Sequence, residues 1–231
     1  GKDFFVVWSD YRNEAAPVVD IASDVYGARV KSDGTLPDPN GLVVSDAERD
    51  QSSPQIIWGN GEYFVVWTDR RPGTTTTDIY GRRLSKAGKR IGEDIAIGTA
   101  KFQQTNPTVT WNGTEYFVVW MDSRNTASAS NNDSDLFGAR ISKSGELLDK
   151  KGIAVTTDSP VESDPRVIWD GTNYVVVWEQ RTDKNQNATA IYALRVASEG
   201  KVLDSKAWDV APASDVRRQA VDHLVRQHAV I

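Results

Sequence analysis

Three times along this 231-residue chain a tryptophan is followed, at the second and fourth positions, by an aspartate and an arginine. The segments are Trp8 with Asp10 and Arg12, Trp67 with Asp69 and Arg71, and Trp120 with Asp122 and Arg124. In a fourth place the motif decays to Trp178 followed by Gln180 and Arg181. A further arginine recurs downstream of each, at Arg29, Arg83, Arg140 and Arg195. Two readings of these charges stand side by side. In one, each aspartate pairs with an arginine of its own or the neighbouring repeat and pins a hairpin, where removing one buried partner costs about 3–5 kcal/mol. In the other, Asp10, Arg12, Asp69, Arg71, Asp122, Arg124 and Arg181 form a charged ring that binds sugars, carboxylates or an acidic peptide.

Other chemistry has less to draw on. The only histidines are His223 and His228, too few for a multi-histidine metal site and poorly placed for a Ser-His-Asp triad. The chain has 32 acidic residues, so a carboxylate pair for glycoside hydrolysis is open to it, although no pair stands out by spacing. Asn131 to Asp135 is oxygen-rich enough for Ca²⁺ but lacks the spacing of an EF-hand loop, and such clusters commonly form turns. There is no cysteine, which excludes disulfides and thiolate metal sites.

The elements that would position these charges repeat in a fixed order. Phe5-Val6-Val7-Trp8 returns as Phe64 to Trp67, Phe117 to Trp120 and Val175 to Trp178. Each is followed by Asp24-Val25-Tyr26-Gly27, Asp78-Ile79-Tyr80-Gly81, Asp135-Leu136-Phe137-Gly138 or the weaker Ala190-Ile191-Tyr192-Ala193. Ahead of the last three lie short segments that begin with a proline and end in tryptophan, Pro54 to Trp58, Pro107 to Trp111 and Pro165 to Trp169. Asn60-Gly61, Asn112-Gly113 and Asp170-Gly171 then supply the positive φ angles of a tight hairpin. The Val-Val-Trp segments are apolar on both faces, as strands covered on both sides must be. Trp58, Trp111 and Trp169 could stack on sugars, but packing between sheets is their default role.

Four-stranded units repeated in series predict an all-β fold, a four-bladed β-propeller with four antiparallel strands per blade. The expected blades are about 1–46, 54–99, 107–157 and 165–212. The first unit lacks its opening strand, and His228 to Ile231 can take the register of Pro107 to Thr110. The expectation is therefore that the C-terminal tail, 227–231, pairs with the N-terminal blade and covers the open edge. Val216, Ala220, Leu224 and Val225 also fall at helical spacing, which leaves a helix over 215–226 as the alternative.

The run Asn112-Gly113-Thr114-Glu115-Tyr116-Phe117-Val118-Val119-Trp120, with Asp122-Ser123-Arg124 and Asp135 to Arg140, resembles the tandem β-propeller repeats of secreted or cell-surface bacterial and archaeal proteins. It is loosely similar to the WD40-like repeats of the periplasmic Tol-system propeller. In shape, four blades resemble hemopexin-like domains, which implies a binding role and leaves open an ion, Ca²⁺ or another, in the central channel. The net charge of −5 disfavours nucleic acid as a partner, and no apolar run of 18 residues exists to insert in a membrane. The resulting expectation is a secreted or cell-surface, non-catalytic module whose loops bind a carbohydrate or protein ligand. A structural spacer and a glycan-cleaving enzyme are the alternatives.

Overall fold

A computed structural model describes residues 3–12, 22–71, 76–126, 133–157, 161–181 and 189–214. They form four antiparallel sheets in chain order: β1 (Phe4–Asp10), β2 (Asp24–Val30) and β3 (Leu42–Ser45); β4 (Gln51–Gly59), β5 (Glu62–Asp69), β6 (Asp78–Ser85) and β7 (Arg90–Gly98); β8 (Gln104–Trp111), β9 (Glu115–Asp122), β10 (Asp135–Ser142) and β11 (Ile153–Thr156); β12 (Glu162–Trp169), β13 (Asn173–Arg181), β14 (Thr189–Ala197) and β15 (Trp208–Ser214). Within each sheet the strands pair in sequence order, so every sheet is one meander and one blade. The first strands pack against one another, β4 on β8 and β8 on β12, which makes them the innermost strands of a β-propeller. The first sheet has three strands among the described residues. The tail expected to complete it, 227–231, and the alternative helix over 215–226 both lie outside the described residues.

The second strands carry the core because they are covered on both faces. Trp67, Trp120, Trp178, Phe64, Phe117, Tyr116 and Tyr174 are all fully buried. Blades join through a tyrosine of one packed on an aromatic of the one before: Tyr63 on Phe5, Tyr116 on Phe64 and Tyr174 on Phe117, with ring centroids 4.9, 4.6 and 4.4 Å apart. Polar latches accompany these contacts. The Tyr116 hydroxyl donates to the Gly59 carbonyl at 3.0 Å, and Arg83 grips Glu62 through two nitrogens while its Nη1 donates to the Ser144 carbonyl of the next blade.

Close approach explains the glycine of the Asp-x-Tyr-Gly motif. A Cβ at Gly27, Gly81 or Gly138 would sit 2.2, 2.9 or 2.7 Å from the ring of Phe5, Phe64 or Phe117. In the fourth blade the phenylalanine is Val175 and the glycine is Ala193. The smaller side chain on one strand and the larger on its neighbour exchange volume at the same contact, as a close-packed interior requires.

One local expectation is revised. The inner strands begin at Gln51, Gln104 and Glu162, three residues before each proline, and the prolines sit inside the strands. The pairing register slips there, between Ser52 and Gln55, Thr105 and Thr108, and Ser163 and Arg166. At such a bulge a residue without an N–H leaves no ladder bond unmade.

Candidate functional site

The registers align one row of residues across each blade at the end where the inner strands begin. Gln51 faces Asp69, which faces Asp78; Gln104 faces Asp122, which faces Asp135; Glu162 faces Gln180, which faces Ala190; and Asp10 faces Asp24 in the first blade. Directly opposed residues share a face of the sheet and touch. These rows therefore bring the acidic residues of the repeats to one mouth of the propeller.

Each Trp-x-Asp-x-Arg motif forms a clasp within its own blade. In the third, the Trp120 indole N–H donates to Asp122 at 2.8 Å, and the Arg124 backbone N–H and Nε both donate to the same carboxylate at 2.9 Å. The Arg124 guanidinium lies 3.8 Å from the centre of the Phe137 ring and donates to the Lys151 carbonyl at 2.6 Å. The first blade repeats this with Trp8, Asp10, Arg12, the Tyr26 ring and the Asn40 carbonyl. The second does so with Trp67, Asp69, Arg71 and the Tyr80 ring, Arg71 then reaching Asp94, which also pairs with Arg82. One arginine thus ties the second, third and fourth strands together. In the fourth blade Gln180 takes the aspartate's place and accepts the Trp178 N–H at 3.3 Å, while the Arg181 backbone N–H donates to the Val161 carbonyl. The recurrent arginines of the third strands serve the opposite end of the blades: Arg29 with Asp38, Arg140 with Asp149 and Arg195 with Asp204.

The clasps set the electrostatics of the rows. Hydrogen bonding from Arg12 holds the Asp10 carboxyl far below the usual carboxylate range. Asp69 is pushed up by burial, against the pull of Trp67 and Arg71. Asp78 is pushed up to about 6, first by burial and then by the charge of Asp69 opposite it. Burial also raises Asp135.

A second set of residues at this mouth escaped the sequence reading. Ser53, Asn106 and Asp164 each precede the inner-strand proline and hold φ of 53°, 52° and 48°. Left-handed backbone at a non-glycine residue is uncommon, and proline further restricts the residue before it. A bulge of this kind re-aims a side chain, and strain of this kind gathers at functional sites. The signal in the sequence was the polar residue ahead of each proline: Ser-Pro, Asn-Pro and Asp-Pro.

Three of the fourth blade's departures from the repeat are acidic, and all three lie at this mouth. Asp164 stands where the other blades have Ser53 and Asn106, and it is exposed. Glu162 replaces Gln51 and Gln104; it is fully buried and accepts bonds from the Leu136 N–H and the Thr156 hydroxyl of the third blade. Glu179, opposite Ser163 on β13, replaces Ser9, Thr68 and Met121. Among the described residues no group of three or more His, Cys, Asp or Glu side chains gathers as a metal ligand set. No helix among them is long and apolar enough to cross a membrane.

No protein-family model matches the sequence, and no curated protein proves similar to it. Solved structures do share the fold. An α-L-arabinofuranosidase from Lactobacillus brevis superposes with a TM-score of 0.58 at 11% identity, covering 87% of this chain and 71% of that one. A thermostable family-43 glycoside hydrolase gives 0.57 at 12%, covering 94% and 74%. An α-L-arabinanase from Penicillium chrysogenum, complexed with arabinobiose, gives 0.54 at 14%, covering 86% and 57%. At these identities the likeness establishes a β-propeller fold. It corrects two expectations. The hemopexin-like comparison is not supported, and the non-catalytic binding module gives way, because the three solved structures just named are glycan-cleaving enzymes.

Proposed function

We propose that this chain is a glycan-cleaving propeller acting on arabinose- or xylose-containing polysaccharides, with its active site at the mouth where the inner strands begin. The observation that carries the reading is the asymmetry of the fourth blade. Asp164 is the one carboxylate at the three strained inner-strand positions, and Glu179 introduces a second acid opposite its neighbour Ser163. Hydrolysis of a glycosidic bond uses two carboxylic groups, one protonating the leaving oxygen while the other serves as nucleophile or activates water. An exposed acid on an innermost strand suits the second role. Glu179, buried on the neighbouring strand, is the candidate for the first. The relatives in fold supply the substrate class: an arabinofuranosidase, an arabinanase with arabinobiose, and a xylan β-1,4-xylosidase from Bacillus halodurans. A secreted or cell-surface location, where such polysaccharides are met, is part of the same proposal.

The test is hydrolysis of arabinan, xylan and the corresponding aryl glycosides by the purified protein, followed by Asp164→Asn. The expected result is cleavage of at least one of them, lost by about 10²–10⁴-fold in the variant at unchanged melting temperature. Wild-type protein inert on the whole panel, or an Asp164→Asn variant as active as the parent, overturns the reading.

A further inference from the structure

The acidic row of the second blade is held differently from that of the third. In Asp122 the oxygen that does not accept from tryptophan takes three donors: the Arg124 backbone N–H and Nε at 2.9 Å and the Gln104 amide at 3.4 Å. In Asp69 the corresponding oxygen takes none, although the residue is fully buried. The cause lies further out in the sheet. Gly27, Gly81 and Gly138 face Leu42, Ile95 and Ile153, and just before these stand Gly41, Asp94 and Gly152. Where that residue is glycine, the clasp arginine bonds the carbonyl ahead of it, of Asn40 or Lys151, and keeps hold of its own aspartate. Where it is Asp94, the carboxylate draws Arg71 outward and leaves Asp69 a single arginine contact, from Nε to Oδ2 at 3.1 Å.

The neighbours of Asp69 in the row lack donors too. Gln51 opposes it and is fully buried; its Nε2 donates to the Ala47 and Arg49 carbonyls, and its Oε1 has no partner. Gln104 Oε1 is also without a partner, but there the opposed Asp122 is saturated. On the other side of Asp69 stands Asp78, 7% exposed, and no donor among the described residues bonds its carboxylate. Directly opposed side chains share one face of the sheet and lie within reach of each other. The row therefore joins an amide oxygen and two carboxylates, all buried, with no donor between them. Buried acceptors are almost always satisfied. Water is a poor answer here, because its two protons leave neighbouring negative charges unneutralised in a dry place. A hard cation answers both needs, since it takes carboxylate and amide carbonyl oxygens together. We infer that Gln51, Asp69 and Asp78 form a binding site for a hard divalent cation of the Ca²⁺ kind, within the second blade and separate from the acids of the fourth.

Terbium(III) is the probe, because it takes the oxygen ligands that Ca²⁺ takes and its emission is excited through a nearby tryptophan. Trp67 bonds Asp69 at 2.8 Å and supplies that antenna. The expected result is tryptophan-sensitised emission that Ca²⁺ displaces. Ca²⁺ at about a hundredfold excess over its Kd should also raise the melting temperature by about 5–10 °C above that in chelator. Both responses should be lost in Asp78→Asn, whose melt in chelator shows that it folds. They should be lost as well in Asp94→Gly, which restores the glycine of the other blades and releases Arg71 to Asp69. A melting temperature indifferent to Ca²⁺ would mean that a proton or water serves the row, and overturns the proposal. Emission unchanged in Asp78→Asn, or undiminished in Asp94→Gly, overturns it equally.

Discussion

The third and fourth blades are built on one plan and spend their acidic residues differently. In the third, Asp122 and Asp135 stand on the second and third strands, and Asp122 is enclosed by Trp120 and Arg124. In the fourth, the corresponding positions are Gln180 and Ala190, and the acids are Glu162 and Asp164 on the first strand and Glu179 on the second. A carboxylate held between an indole N–H and a guanidinium holds a blade together, whereas Asp164 is exposed on the innermost strand. In a repeat protein the recurrent residue answers a recurrent packing problem, and the departure from the repeat is the better guide to function.

The contrast can be broken first at its functional end. Asp164→Asn is expected to cost about 10²–10⁴-fold in turnover with no loss of stability, while Asn106→Ala, at the same backbone position one blade earlier, leaves turnover within a few-fold. Kinetics on the best aryl glycoside, paired with thermal melts, would separate the two blades or merge them.

At the structural end, Asp122→Ala leaves a half-buried guanidinium and a buried indole N–H without their acceptor. Denaturant unfolding should show a loss of about 3–5 kcal/mol. Gln180→Ala removes only a neutral bond in the equivalent place and should cost about 1 kcal/mol. Equal losses would mean that the clasp contributes nothing particular to the third blade.

The packing exchange between blades sharpens the comparison further. Gly138→Ala drives a methyl into the Phe117 ring and should cost about 1–3 kcal/mol by overpacking. Adding Phe117→Val, which recreates the Ala193 and Val175 pair of the fourth blade, should recover part of that loss. A double-mutant cycle showing strict additivity would dismiss the proposed contact.

The smallest effect concerns the row of the second blade. Asp78 binds its proton more tightly in the folded protein, at about 6, than in the unfolded chain, near 3.8. The folded state therefore holds more protons between those values, and the group's contribution is most favourable below pH 4 and is lost as pH rises through 6. Asp78→Asn should accordingly stabilise the protein by about 1–2 kcal/mol at pH 7.5 and by nothing at pH 4. A gain that is the same at both values would point away from the ionised pair with Asp69.

Much of this architecture could be read before any coordinates. The Val-Val-Trp strands, the Asn60-Gly61 turn with φ of 54° and 76°, and the pairing of Asp10, Asp69 and Asp122 with the arginines two residues on are all local relations within one repeat. Short-range patterns carry them because a strand's alternation and a hairpin's twist depend on near neighbours. The candidate site was legible only in part. Proline in the first strands suggested strand starts, and the strained residue before it went unread, because its conformation depends on contacts across blades such as the Asn106 N–H on the Thr68 hydroxyl.

By itself the amino-acid sequence determined the repeat, the order of strands and the number of blades, since each unit is written within a stretch of some fifty residues, and it left open whether the recurrent Asp and Arg residues pair with each other or meet a ligand. The tertiary structure alone decided that Ser53, Asn106 and Asp164 share a left-handed bulge at one mouth, that Glu162 reaches back to the third blade, and that Phe4 and Val6 of β1 are exposed where their counterparts are buried. Those facts depend on how one sheet lies against the next, and packing between sheets joins residues that no sequence period brings into view.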